Sequence, residues 1–136
     1  MSWNRILLLL LTLIGIIFLL HIGGTYLHFY WRFEIYDRIV HILAAMWIAL
    51  SVLAIMQKAG LQFTQKRNII IVGVCATLII GFFWEFFEYG IGQTSVMDEE
   101  FNGDTIGDII SDCIGGLIGS LYGIKYFLVW NNKNQQ

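Results

Sequence analysis

The chain has 136 residues, 57% of them hydrophobic and only 13% charged, with a mean hydropathy of +0.69. Those values lie outside the range of soluble globular domains and indicate a membrane protein. The net charge of −2 leaves no basic footprint for nucleic acid, so no nucleic-acid partner is expected. Cys75 and Cys113 both fall in apolar stretches, which excludes a disulfide framework and a CxxC metal motif.

Four apolar segments reach the ~20 residues needed to cross a bilayer: approximately 6–27, 36–57, 68–90 and 104–126. The first, RILLLLLTLIGIIFLLHIGG, has the apolar run of a signal peptide but no small-x-small cleavage site, so it reads as a retained helix. No proline interrupts any segment, and no polar stretch is long enough for a separate soluble domain. The expected fold is an all-α membrane protein, a single four-transmembrane-helix bundle of multi-pass type in the cell (inner) membrane.

The connecting loops are short enough for the excess of Lys and Arg to set orientation. Arg5 precedes the first segment, Lys58, Lys66 and Arg67 join the second to the third, and Lys125 and Lys133 follow the fourth. That side is assigned to the cytoplasm, with both termini there. All ten acidic residues then fall on the outer side or in the outer halves of the helices. The second helix enters through Asp37 with His41 a turn deeper. The third leaves through Glu85 and Glu88. The fourth enters through Asp104, Asp108 and Asp112, the last about 12 Å below the first at 1.5 Å per residue.

Helical periodicity adds that these groups face inward. Positions four apart share a face, which gives the stripes Asp37/His41/Ala45/Ala49, Gly73/Thr77/Gly81/Glu85 and Gly107/Ser111/Gly115/Gly119/Gly123. In each, the acidic face continues as a small-residue face of the kind that mediates helix contact in lipid. A charge at mid-helix costs about 2.5–3.5 kcal/mol on insertion scales, so such residues are functional by default. Structural readings stand beside that one. Asp104 suits a helix N-cap, Asp37 an interfacial pair with Arg38, Glu88 the headgroup region, and Asp108, Asp112, Glu85 and His41 a buried Asp–His lock. His21 and His28 read as interfacial or packing residues, and the aromatics of 26–33 as an interfacial belt.

Six carboxylates and one histidine in a low-dielectric place require a counter-charge or protonation. A divalent metal ion supplies it, and oxygen ligands with one imidazole suit Mg²⁺, Mn²⁺, Zn²⁺ or Ca²⁺. The expected metal ligands are Asp37, His41, Glu85, Glu88, Asp104, Asp108 and Asp112. His41, Asp108 and Glu85 are the expected catalytic groups, and Arg38 and Arg32 stand at the mouth to meet an anionic headgroup. Three function classes compete: a metal-dependent hydrolase or transferase acting on a lipid-linked, phosphorylated substrate among the membrane lipids, a non-catalytic envelope module, and a cation or proton carrier. Residues 42–57, 68–84 and 113–124 contain no Asp, Glu, His, Lys or Arg. A carrier would need polar stations there, although a homo-oligomer could supply them.

The order YDRIVH (36–41), WEFFEYG (84–90) and DIISDCIGGLIG (108–119) resembles the VanZ-like group of small bacterial membrane proteins. In that group an Asp-Lys/Arg-x-x-His stretch precedes a Glu-bearing helix end, and a final helix reads Asp-x-x-x-Asn-x-x-Gly-x-x-x-Gly. Asp37, Arg38 and His41 match the first part, Glu85 or Glu88 the second, and Asp108, Gly115 and Gly119 the third. Asp112 stands where the group has Asn, and Glu85/Glu88 where it has Glu-x-x-Gln. Both departures add negative charge. The resemblance implies a role in cell-envelope processes such as glycopeptide resistance.

Overall fold

The computed structural model describes residues 3–91 and 101–134, and within them every side chain but those at 31, 34, 101–104 and 129–134. The acidic loop at 92–100 and the side chains of Asp104 and Trp31 therefore lie outside the described residues. The chain forms α1 (Trp3–Tyr26), α2 (Phe29–Arg32), α3 (Glu34–Lys58), α4 (Lys66–Gly90) and α5 (Phe101–Asn134), with no strand among the described residues. It is an all-α membrane bundle. Trp3–Tyr26, Ile35–Lys58 and Lys66–Gly90 are long and apolar enough to cross a membrane. At 34 residues α5 exceeds them in length, but its aspartates make it less apolar. It also runs past the expected end at 126 to Asn134, because the sequence there has neither glycine nor proline to stop it.

The breaks have local causes. His28 takes a left-handed conformation (φ 58°) that turns α1 into the single-turn α2, which the sequence reading had as loop. Phe33 is extended and separates α2 from α3. At the other end of α3, Gly60 has φ 88°. Its N–H donates to Gln57 O at 3.1 Å while Leu61 N–H donates to Met56 O at 3.0 Å. This is a Schellman stop, which a glycine in the left-handed region makes without strain.

Packing centres on α5, which lies along both α3 and α4. The small-residue stripes are the reason. Ala45, Ala49 and Thr77 are fully buried. A Cβ at Gly115 would meet the Ile42 carbonyl and Ala45, and one at Gly119 the Met46 carbonyl at 2.7 Å, so α3 and α5 touch backbone to backbone. Gly116 faces Thr77, and Gly73 faces Ser120, along the α4–α5 seam. In lipid such close approach and hydrogen bonding hold helices together. The long side chains gather at the opposite end of the bundle, where Ile6, Leu53, Ala54, Phe63, Ile69 and Phe127 form a buried cluster.

α1 packs mainly along α3. Two hydrogen bonds stitch the pair: Trp47 Nε1 donates to Leu10 O at 3.0 Å, and the Tyr36 hydroxyl to Leu20 O at 2.6 Å. Gly24 is what lets Tyr36 and Tyr30 lie against α1.

Candidate cation site

The start of α3, the end of α4 and the start of α5 meet at one end of the bundle. Asp37 and His41 lie one turn apart on α3, and Asp108 approaches from α5. Each of the three offers one ligand atom, and these atoms lie within 4.8 Å of one another. His41 is 9% exposed and Asp108 3%, so the group is set into the bundle, with the half-exposed Asp37 on its solvent side.

The imidazole addresses two carboxylates with different nitrogens. His41 Nε2 is 3.8 Å from Asp37 Oδ1, and Nδ1 is 3.3 Å from Asp112 Oδ1. Asp112, at 6% exposure, lies one turn deeper on α5. Gly81 on α4 makes room for it, since a Cβ there would strike its Oδ2. Thus α3 supplies the ring, α5 the carboxylate on its far nitrogen, and α4 the gap that admits that carboxylate. Asp112 thus addresses the ring nitrogen opposite the one that faces Asp37.

The other sequence candidates take different places. Glu85 and Glu88 stand outside the three-residue group. One Glu85 carboxylate oxygen is buried. Glu88 accepts a 2.9 Å hydrogen bond from Trp84 Nε1 and lies close enough to Glu85, Asp37 and His41 to feel their charges. Arg38 lies over Gly107 at the start of α5, its Nε 3.2 Å from where a Cβ would sit. Arg32 is exposed on α2 at the same end.

An aromatic knot beside the mouth was read in the sequence only as an interfacial belt. The Tyr30 hydroxyl hydrogen-bonds His21 Nδ1 at 2.9 Å, and the Tyr30 and Tyr36 rings meet edge to face at 5.2 Å. Burial, then the charges of Asp37, Tyr36 and Glu88, push the Tyr30 phenol up, so it stays neutral beside the acids. His21, exposed on α1, also meets the Tyr30 ring edge to face, with centroids 5.7 Å apart. Gly24 followed by an aromatic run was the available signal, because a small residue facing bulky ones marks a close helix contact.

Three carboxylates around one imidazole can bind a cation or stabilise imidazolium. Comparison with known proteins supports a membrane-protein family without supporting the VanZ-like assignment suggested by the motifs. No curated protein and no solved structure matches the chain. A family model covers residues 3–128, nearly the whole length, and the chain therefore belongs to the family described as "Predicted membrane protein (DUF2238)".

Proposed function

We propose that the acidic end of the bundle is a divalent-cation site, with Asp37, Asp108 and His41 Nε2 as protein ligands, and that the bound ion engages a phosphate-bearing envelope lipid. One observation carries this reading: Asp112 sits on His41 Nδ1 while Nε2 faces Asp37. A metal-ligating histidine almost always gives its other ring N–H to a carboxylate, carbonyl or water, which fixes the tautomer and aims the free nitrogen. Asp112, counted among the ligands on sequence grounds, takes that orienting role. Three protein ligands leave room for water or a phosphate oxygen, as in catalytic rather than structural sites. The half-exposed Asp37 and the Arg38 guanidinium over Gly107 give an anionic headgroup a route of approach. Glu85 and Glu88 add negative potential around the mouth. The ion would polarise the phosphate, and the protein would hold ion and headgroup in register.

The second reading is a buried Asp–His–Asp lock in a non-catalytic envelope module, favoured by both ring nitrogens already facing carboxylates. Metal binding by the purified full chain separates the two. The cation reading expects one high-affinity Mn²⁺ per chain, detected by electron paramagnetic resonance, with affinity falling at least about 100-fold in Asp108→Ala and His41→Ala. Failure of the wild type to retain Mn²⁺, Mg²⁺, Zn²⁺ or Ca²⁺ leaves only the lock. Turnover of phosphorylated lipid that requires added Mn²⁺ or Mg²⁺ and disappears in Asp108→Asn distinguishes an enzyme from a binding module.

A further inference from the structure

The end of the bundle opposite the carboxylates has a cavity of its own. Trp3 and Ile6 at the start of α1 and Gln57 and Lys58 at the end of α3 line a space of about 270 Å³. The Lys58 ammonium lies over the Trp3 ring, 5.1 Å from its centroid. Gln57 Nε2 is buried with no hydrogen-bond partner among the described residues. A buried donor left unpaired is destabilising, so this amide calls for an acceptor oxygen. The lining therefore combines one fixed positive charge, one unused N–H donor and an apolar wall, with no acid.

That combination suits an anion rich in acceptor oxygens and attached to something apolar. Its level also matters: Trp3 and Lys58 cap the ends of two helices able to span a membrane, where amphipathic Trp and Lys side chains meet the headgroups. Arg5, Lys66 and Arg67 lie at this same end of the sequence pattern, so the surroundings reinforce the charge. We propose that this cavity holds the phosphate headgroup of an anionic phospholipid. Lys58 pairs with the phosphate, Gln57 donates to one of its oxygens, and Trp3 and Ile6 border the glycerol and upper acyl chain. This site is independent of the cation site at the other end.

The test is native mass spectrometry of the full chain released from micelles containing equal phosphatidylglycerol and phosphatidylcholine. The wild type is expected to retain one phosphatidylglycerol with roughly tenfold preference, Lys58→Arg to keep that preference, and Lys58→Gln and Gln57→Leu each to lose most of it. Equal retention of the two lipids by the wild type overturns the proposal, as does an unchanged preference in the variants. Displacement of the lipid by millimolar inorganic phosphate overturns the commitment to a phospholipid. Should Lys58→Gln fail to fold for want of its contact with Trp3, Gln57→Leu decides alone, because it removes the amide donor and leaves that contact in place.

Discussion

Asp108 and Asp112 lie one turn apart on the same helix and carry the same functional group, yet they address different atoms. Asp108 belongs to the group with Asp37 and His41, whereas Asp112 addresses His41 Nδ1. If the first ligates and the second orients, their amides should behave differently. Asp108→Asn removes a charged ligand and is expected to lower Mn²⁺ affinity by more than about 100-fold. Asp112→Asn keeps an oxygen that accepts from Nδ1–H, and should cost only about tenfold, at the lower end for such outer partners. Equal losses in a Mn²⁺ titration would mean that Asp112 touches the ion itself. Gly81 tests the same arrangement from the opposite side. A methyl group at 81 would collide with Asp112 Oδ2, and the short carboxylate can yield only by giving up its 3.3 Å contact with His41. Gly81→Ala should therefore weaken Mn²⁺ binding as Asp112→Ala does and destabilise the bundle by about 1–3 kcal/mol in thermal unfolding. Gly23→Ala, with nothing within 4 Å of its added methyl, should do neither.

Between helices, the α3–α5 contact is where small changes should be felt most. A methyl at Gly115 would meet the Ile42 carbonyl and lie 2.8 Å from Ala45 Cβ. Backbone cannot swing aside, so α3 and α5 must separate and the carboxylates above them with it. Gly115→Ala is expected to cost about 2–3 kcal/mol in reversible unfolding from mixed micelles. Gly123→Ala meets only side-chain atoms, Leu53 Cδ1 at 2.9 Å and the Phe127 ring at 3.2 Å, and should cost less; an equal cost at both positions would show that backbone contact is not what limits the packing. These stripes were legible in the sequence because the helical repeat fixes which residues share a face, and small residues below acids mark that face as the inner one. Ala45, Ala49, Thr77 and Gly115 are buried accordingly. Periodicity yields depth and direction, however, not partners. It brought Asp37, His41 and the aspartates of α5 to one level, but two ring nitrogens and three aspartates allow several pairings, and only helix rotation and the gap at Gly81 select one. Glu85 has the right depth on α4 yet stands outside the three-residue group for the same reason. The knot of Tyr30, Tyr36 and His21 escaped notice because an aromatic run at a helix end is what any membrane interface displays.

For the molecule as a whole, the two ends have opposite chemistry, and which one faces the cytoplasm decides what each can meet. Six of the eight Lys and Arg residues lie at the ends and loop of the basic side, while Asp37, Glu85, Glu88 and Asp108 occupy the other. Excess positive charge resists translocation, so the basic end should be cytoplasmic and the carboxylates should open outward. Two exposed positions report on this. Tyr26 is 85% exposed at the acidic end, and Leu61 is 54% exposed at the basic end. In a chain with Cys75 and Cys113 replaced by alanine, Tyr26→Cys is expected to react with a membrane-impermeant maleimide in intact cells. Leu61→Cys should react only after the membrane is opened. The reverse pattern would put the proposed cation site in the cytoplasm. That outcome would remove the outer-leaflet substrate, because the carboxylates could then reach only cytoplasmic phosphates. It would leave the proposed metal ligation by Asp37, His41 and Asp108 untouched, since their mutual geometry does not depend on which way the bundle was inserted.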